Sequence, residues 1–305
     1  MSDNSLALKV VKPIAVTNAM LISTDVPETD YPAYAAGTTY PLGGRVIVLS
    51  NHSIYESLQD SNTGHDPVTS PTWWIRVSAT NPWKLFDNSN STQTKKSTSF
   101  TYTIKPNQAI NALAALNLTA CTSLRIRLVD PVYGTVYDKT LNLSSVPEAV
   151  GWWEWFFGQR TAPTLTVSLD IPSFPNASLT LDFAGTVDLA VGTVIFGQQT
   201  FLGKGIKYGA RVGIKDYSRK ETNDFGDIVL VQRAFAKRAN FDMYLDKIQT
   251  DSVQNILSGL RAVPCLWIGS SEYESTILYG IYKDFEVMIS YPTYSDCSLE
   301  IEGLT

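Results

Sequence analysis

The stretch ANFDMYL (residues 239–245) alternates apolar and polar side chains without a break: Ala239, Phe241, Met243 and Leu245 fall on one side, Asn240, Asp242 and Tyr244 on the other. A period of two is that of a β-strand with one buried and one wet face, whereas a helix would scatter the same four apolar residues around its axis. The pattern returns at Asp227 to Gln232, at Tyr279 to Tyr291 (Phe285, Val287, Ile289, Tyr291) and at Cys297 to Ile301. Among these strands sits one helical segment. Asp251 is its expected cap, Gln254 follows three residues on, Val253, Ile256, Leu257 and Leu260 make one apolar stripe, and Pro264 ends it. Residues 193–305 therefore read as a β-barrel or sandwich with one packed helix at 251–262.

Upstream, between 76 and 192, short strand candidates recur with turn signals between them: Ser99 to Lys105, Leu124 to Val129, Thr135 to Leu143, Thr164 to Ile171, Ala177 to Phe183 and Thr186 to Val191. That rhythm predicts an antiparallel β-sandwich of jelly-roll type. One insertion breaks it. Ser145 to Glu148 has capping-box spacing with Pro147 in the first turn, and Trp152, Trp153, Trp155, Phe156 and Phe157 follow. Five large aromatics in six positions cannot all face one side, so some must meet another domain or another chain.

Residues 31–75 hold a Gly43-Gly44 turn, strands at Arg45 to Leu49 and Ser53 to Ser57, and a Gly/Pro-rich loop before Trp73 and Trp74. So small a module has a marginal core and is expected to lean on a neighbour. Residues 1–30, broken by Pro13, read as one or two strands or an arm that docks elsewhere. The fold expected is thus mainly β: an arm, a small aromatic β module, an antiparallel sandwich and a C-terminal β domain with a helix.

With 305 residues, only 17% of them charged, and a formal net charge of −5, the chain exerts no global pull on nucleic acid or anionic membrane. Its N-terminus lacks a secretory pattern and no run of 18 apolar residues occurs, which predicts synthesis in a cytoplasm and no membrane insertion. Cys121, Cys265 and Cys297 are odd in number and far apart, and read as small buried hydrophobes. Two histidines, His52 and His65, without Cys partners do not complete a zinc site, and neither a GxSxG elbow, a Walker loop nor a GxGxxG turn after a strand is present. No metal or other cofactor is expected. Two carboxylates suffice for a glycosidase, and Asp170, Asp182 and Glu154 are the candidates, but acids at strand ends and turns are more often solvated. The expectation is a binding or structural protein, not an enzyme.

Two sets of residues are candidates for contact. Tyr34, Tyr55, Trp73 and Trp74, with Trp152, Trp153 and Trp155, offer flat aromatic faces suited to sugar rings or a partner's side chains, set against the alternative that they form a core. Lys207, Arg211, Arg219, Lys220, Arg233 and Arg238 lie among Asp216, Glu221, Asp224 and Asp227. Mixed signs suit charge pairing between protomers or a solvated hairpin, not a nucleic-acid tract.

The order Tyr40, Gly43, Val46, Tyr55, Pro67 and Trp73 or Trp74 is similar to the small carbohydrate-binding modules that accompany chitinases. Over most of its length the chain resembles tail-tip or baseplate structural proteins of long-tailed, siphovirus-like bacteriophages and prophages. The phrases that carry this are WWIRVSATNPWKLFDNSNST, GWWEWFFG, YGARVGIKDYSRKETNDFGDIVLVQRAFAKR, LRAVPCLWIG, YGIYKDF and CSLEIEGL. The resemblance implies a galactose-binding-like sandwich in the middle and a tail-tube-like or distal-tail-like domain at the C-terminus. It further implies a ring or threefold assembly around the tail axis, with neighbouring phage tail proteins as partners and a place in the virion tail tip. A host-surface carbohydrate-binding adhesin is the alternative, and a cell-wall hydrolase the third reading.

Overall fold

The computed structural model describes residues 7–89, 91–144, 151–157, 162–222, 226–270 and 273–304, the side chains of 154 and 155 excepted. The chain opens with strands Leu8–Val11 (β1) and Leu21–Thr24 (β2), followed by Arg45–Val48 (β3), Ser53–Ser57 (β4) and Trp74–Ala79 (β5). Next come Thr94–Lys95 (β6), Ser99–Ile104 (β7), Ala112–Asp130 (β8), Gly134–Asn142 (β9), helix Trp152–Phe157 (α1), Leu165–Ser168 (β10) and Ser178–Gly197 (β11). The last part holds Gln199–Leu202 (β12), Gly205–Ile206 (β13), Arg211–Asp216 (β14), Arg219–Thr222 (β15), Ile228–Val231 (β16) and Phe235–Asp246 (β17). Helix Thr250–Gly259 (α2) then precedes Cys265–Ile268 (β18), Ile277–Met288 (β19) and Tyr294–Gly303 (β20). The chain is mainly β and its ladders are antiparallel, as expected.

Two large sheets lie face to face. The middle one is ordered β10-β8-β11-β7-β2, with β9 added on β8 and β6 on β11; the C-terminal one is ordered β12-β1-β18-β19-β20-β17-β13, with β14 also on β17. Strand periodicity sorts the side chains between three cores. Leu113, Ala115, Val194 and Phe196 join the cluster enclosed by the middle sheet, while Ala112, Ala114, Leu116 and Ile195 point the other way. There they meet Val11, Leu266, Ile268, Ile277 and Tyr279 of the C-terminal sheet. On that sheet's far side Val10, Trp267, Phe241, Met243 and Leu299 pack with Val253 and Leu257 of α2. Strands at the seam between the sheets are buried on both faces, so they read as unbroken apolar runs instead of alternating ones.

β8 and β11 pair along nearly their whole length, and their register slips between Gly185 and Ala190. The irregularity bends both strands, so that one face of the sheet fills a single core from its two halves. Ala177 to Phe183 and Thr186 to Val191, read above as separate strands, fall, from Ser178 on, within this one bent strand, which also runs across the boundary expected at 192. β5 likewise crosses the boundary at 75.

The N-terminal segment serves both sheets: β1 lies between β12 and β18, and β2 extends the middle sheet beside β7. α2 begins at Thr250, so Asp251 lies in its first turn, where a negative charge meets the positive end of the helix, and not at the cap. The helix ends at Gly259, earlier than the expected 262. Ser145 to Glu148, the expected capping box, lies outside the described residues.

Candidate interaction surfaces

The three-stranded module spends its aromatic residues on itself. Val46, Tyr55 and Trp74 form its core, with Tyr34, Tyr40 and Trp73 packed around them. Tyr34 stacks on Tyr40 at 6.0 Å, and both meet Trp74 edge-on, Tyr40 at 5.2 Å. The Trp74 indole N–H donates to the His65 carbonyl at 2.9 Å, and the His65 ring lies flat on Trp73 at 3.9 Å. Tyr55 and Trp74 are only 7% and 2% exposed, so the expectation that they present a face to a ligand is corrected. A module this small closes a core only by turning its largest side chains inward. Tyr34 and Trp73, each half-buried, have one face covered from within.

The module does lean on its neighbour. His52 stacks on Trp83 at 4.3 Å, its Nδ1 lies 2.9 Å from Glu28 Oε1, and the Thr80 hydroxyl donates to the same oxygen at 2.6 Å. Both histidines are thereby built into packing.

α1 is the opposite case. Trp152 and Trp153 are 82% and 72% exposed, and Phe156 and Phe157 stand out beside them. Trp153 and Phe157 touch at 4.4 Å, one helical turn apart. The Trp155 and Glu154 side chains lie outside the described ones.

A second exposed feature is an arm. β14 and β17 pair from Arg211↔Asn240 to Asp216↔Phe235, and β15 and β16 continue as a two-stranded ribbon on its own. Every residue of β14, β15 and β16 is exposed. Ile228 and Leu230 are 70% and 69% exposed, and Val229 and Val231 on the opposite face are exposed as well. The period-two reading of Asp227 to Gln232 found the strand but implied a buried face that this ribbon lacks.

Of the six basic residues expected to pair between subunits, three are engaged within the chain. Lys207 Nζ lies 2.7 Å from Asp296 and 4.5 Å above the Tyr244 ring, and the carboxylate raises the lysine's pKa. Arg219 pairs with Glu221, and Lys220 lies 3.5 Å from Asp216. Arg211, Arg233 and Arg238 are in no ion pair among the described residues; Asp224 lies outside them. At the arm's root Glu302 receives Lys215 at 2.9 Å and the Tyr217 hydroxyl at 2.6 Å, which hold its carboxyl below the usual range.

Two of the three carboxylates considered for hydrolysis, Asp170 and Asp182, are committed elsewhere. Asp170 faces Lys139 Nζ at 2.8 Å and accepts from the Ser168 and Tyr137 hydroxyls at 2.7 and 2.9 Å. These partners hold it ionised far below the ordinary aspartate range, the reverse of what a general acid needs. Asp182 accepts from the Thr101 hydroxyl at 2.8 Å. All three cysteines are buried and unbridged, their thiols pushed up to about 11 by burial. No cluster of three or more His, Cys, Asp or Glu fit to hold a metal occurs among the described residues, and no described helix is long and apolar enough to cross a membrane. The chain matches no protein family and no curated protein among those compared.

Proposed function

We propose that the chain is a non-enzymatic structural component of a phage tail tip or baseplate, which assembles with copies of itself as a ring or trimer and with neighbouring tail proteins. The observation that carries the assembly is the arm: four consecutive aliphatic residues, Ile228 to Val231, lie exposed on a two-stranded ribbon. An isolated ribbon of this kind is marginal in water, and contiguous exposed apolar surface marks a site of association. The phage assignment itself rests on the resemblance of the sequence phrases. Light scattering on the wild type and on an Ile228→Asp/Leu230→Asp variant tests the assembly. A discrete multimer for the first and a folded monomer for the second is the expected pair of results; a monomeric wild type at all concentrations overturns the reading. Capture by purified neighbouring tail proteins tests the tail assignment.

The exposed Trp152 and Trp153 favour a second, peripheral contact, with another tail protein or with a cell-surface glycan. An adhesin role predicts retention on host polysaccharide resin that Trp152→Ala and Trp153→Ala abolish. Equal retention of wild type and variants removes it.

A further inference from the structure

Lys207, Lys215 and Lys283 pair with acids of the C-terminal sheet within the chain, and what they leave over is three arginines on or beside the arm and three carboxylates on the sheet that are in no ion pair among the described residues. On that sheet Asp242 lies beside Ser298 and Ser298 beside Glu286, while Asn240 lies beside Glu300 and Glu300 beside Asp284. These side chains lie on the face opposite α2, since their neighbours Phe241, Leu299, Phe285 and Val287 belong to the helix-side core. It is the face that meets the middle sheet at β18 and the start of β19, and farther along β19, β20 and β17 it is exposed and forms the sheet's outer face. Asp242, Asp284 and Glu286 are exposed and in no ion pair among the described residues; Asp284 faces a second carboxylate, Glu300, which Lys283 Nζ approaches at 3.5 Å. Arg211 is registered opposite Asn240 and Arg238 opposite Glu302, which places the unpaired cations at the margin of the same face.

We propose that the basic arm of one copy, through Arg211, Arg233 and Arg238, seats on the acidic outer face of β17, β20 and β19 of a second copy, at Asp242, Asp284 and Glu286. This rests on the assembly proposed above and names the two surfaces that meet. The occupant is a second copy because both halves of the match are present on one chain. Exposed Tyr244, Ile281 and Met288 lie among the acids and supply apolar area to cover. Opposed patches of this kind fix orientation and speed encounter, and like charges brought together are rejected.

The test uses full-length protein in three charge-reversed forms: Arg211→Glu/Arg233→Glu, Asp242→Lys/Glu286→Lys, and all four changes together, each checked for native circular dichroism. By light scattering, each double variant is expected to dissociate at concentrations at least tenfold above those at which the wild type does. The fourfold variant is expected to recover wild-type mass, and an equimolar mixture of the two double variants to associate at concentrations where neither does alone. A wild-type multimer indifferent to both reversals overturns this pairing and leaves assembly through the apolar ribbon standing. Failure of the fourfold variant to recover while folded also overturns it. A wild type that never associates overturns the assembly itself.

Discussion

Gly185 lies against the carbonyl oxygen of Ala120, so closely that a side chain at 185 would collide with it. Ala120 itself has a left-handed backbone, with φ 54°, which few non-glycine residues adopt. The bend of the long β8–β11 ladder is built on this contact. Gly185→Ala forces two backbones apart inside a packed sheet, and a loss of about 1–3 kcal/mol is expected. Urea unfolding checks it: the midpoint falls, with the slope unchanged.

Two tryptophans separate core from surface. Trp74→Ala empties the centre of the small module and is expected to cost about 3–5 kcal/mol, read as a lower melting temperature and early proteolysis within residues 31–79. Trp153→Ala removes an exposed ring and is expected to change stability by no more than about 0.5 kcal/mol. Equal losses for both would contradict the burial assigned to them.

Acid sensitivity follows from Asp170. Its pKa is lowered on folding, chiefly by Lys139, so its contribution is fully present above the unfolded value near 3.8 and is lost as the pH falls below it. Both partners are substantially exposed, which limits the pair to under about 1 kcal/mol. Melting temperatures measured from pH 6 to pH 2 should show Asp170→Asn less stable than wild type at the upper end, the two curves converging below pH 4.

Thiol chemistry offers a further handle. Cys121, Cys265 and Cys297 are buried with pKa pushed up to about 11, so at pH 8 the folded protein is expected to react with an aromatic disulfide reagent far more slowly than the urea-unfolded chain. Rapid labelling of any one of them in the native state would place that cysteine at the surface.

Much of this fold is readable in residue order. ANFDMYL became the two faces of β17, and Val253 and Leu257 became the buried stripe of α2, with Leu260 buried just past its end. The run ALAAL at 112–116 gave no strand signal, because a strand buried on both faces has no alternation to display. Ile289 and Tyr291, placed by periodicity in a buried row, are exposed beyond the end of β19, since local pattern does not say where a partner strand stops. The solvated hairpin considered for this segment is what β14 to β16 form, and only the buried face implied for Asp227 to Gln232 is missing, for a related reason. Alternating sequence marks a strand, and only the tertiary fold decides whether anything covers it. Likewise the density of aromatics at 31–74 announced a cluster, but which rings turn inward depends on how few other residues the module has to make a core.

The placement of β1 between β12 and β18 sets an order on synthesis. β1 pairs with a strand made long after it, and the whole stretch from Val11 to Cys265 must leave the ribosome before its second ladder can close. At ~5–20 residues per second that wait is on the order of ten to fifty seconds. The middle sheet has both of its long strands by Gly197 and can fold meanwhile, which makes completion of the C-terminal sheet the later event and leaves an apolar strand, Leu8 to Val11, without its second partner until then.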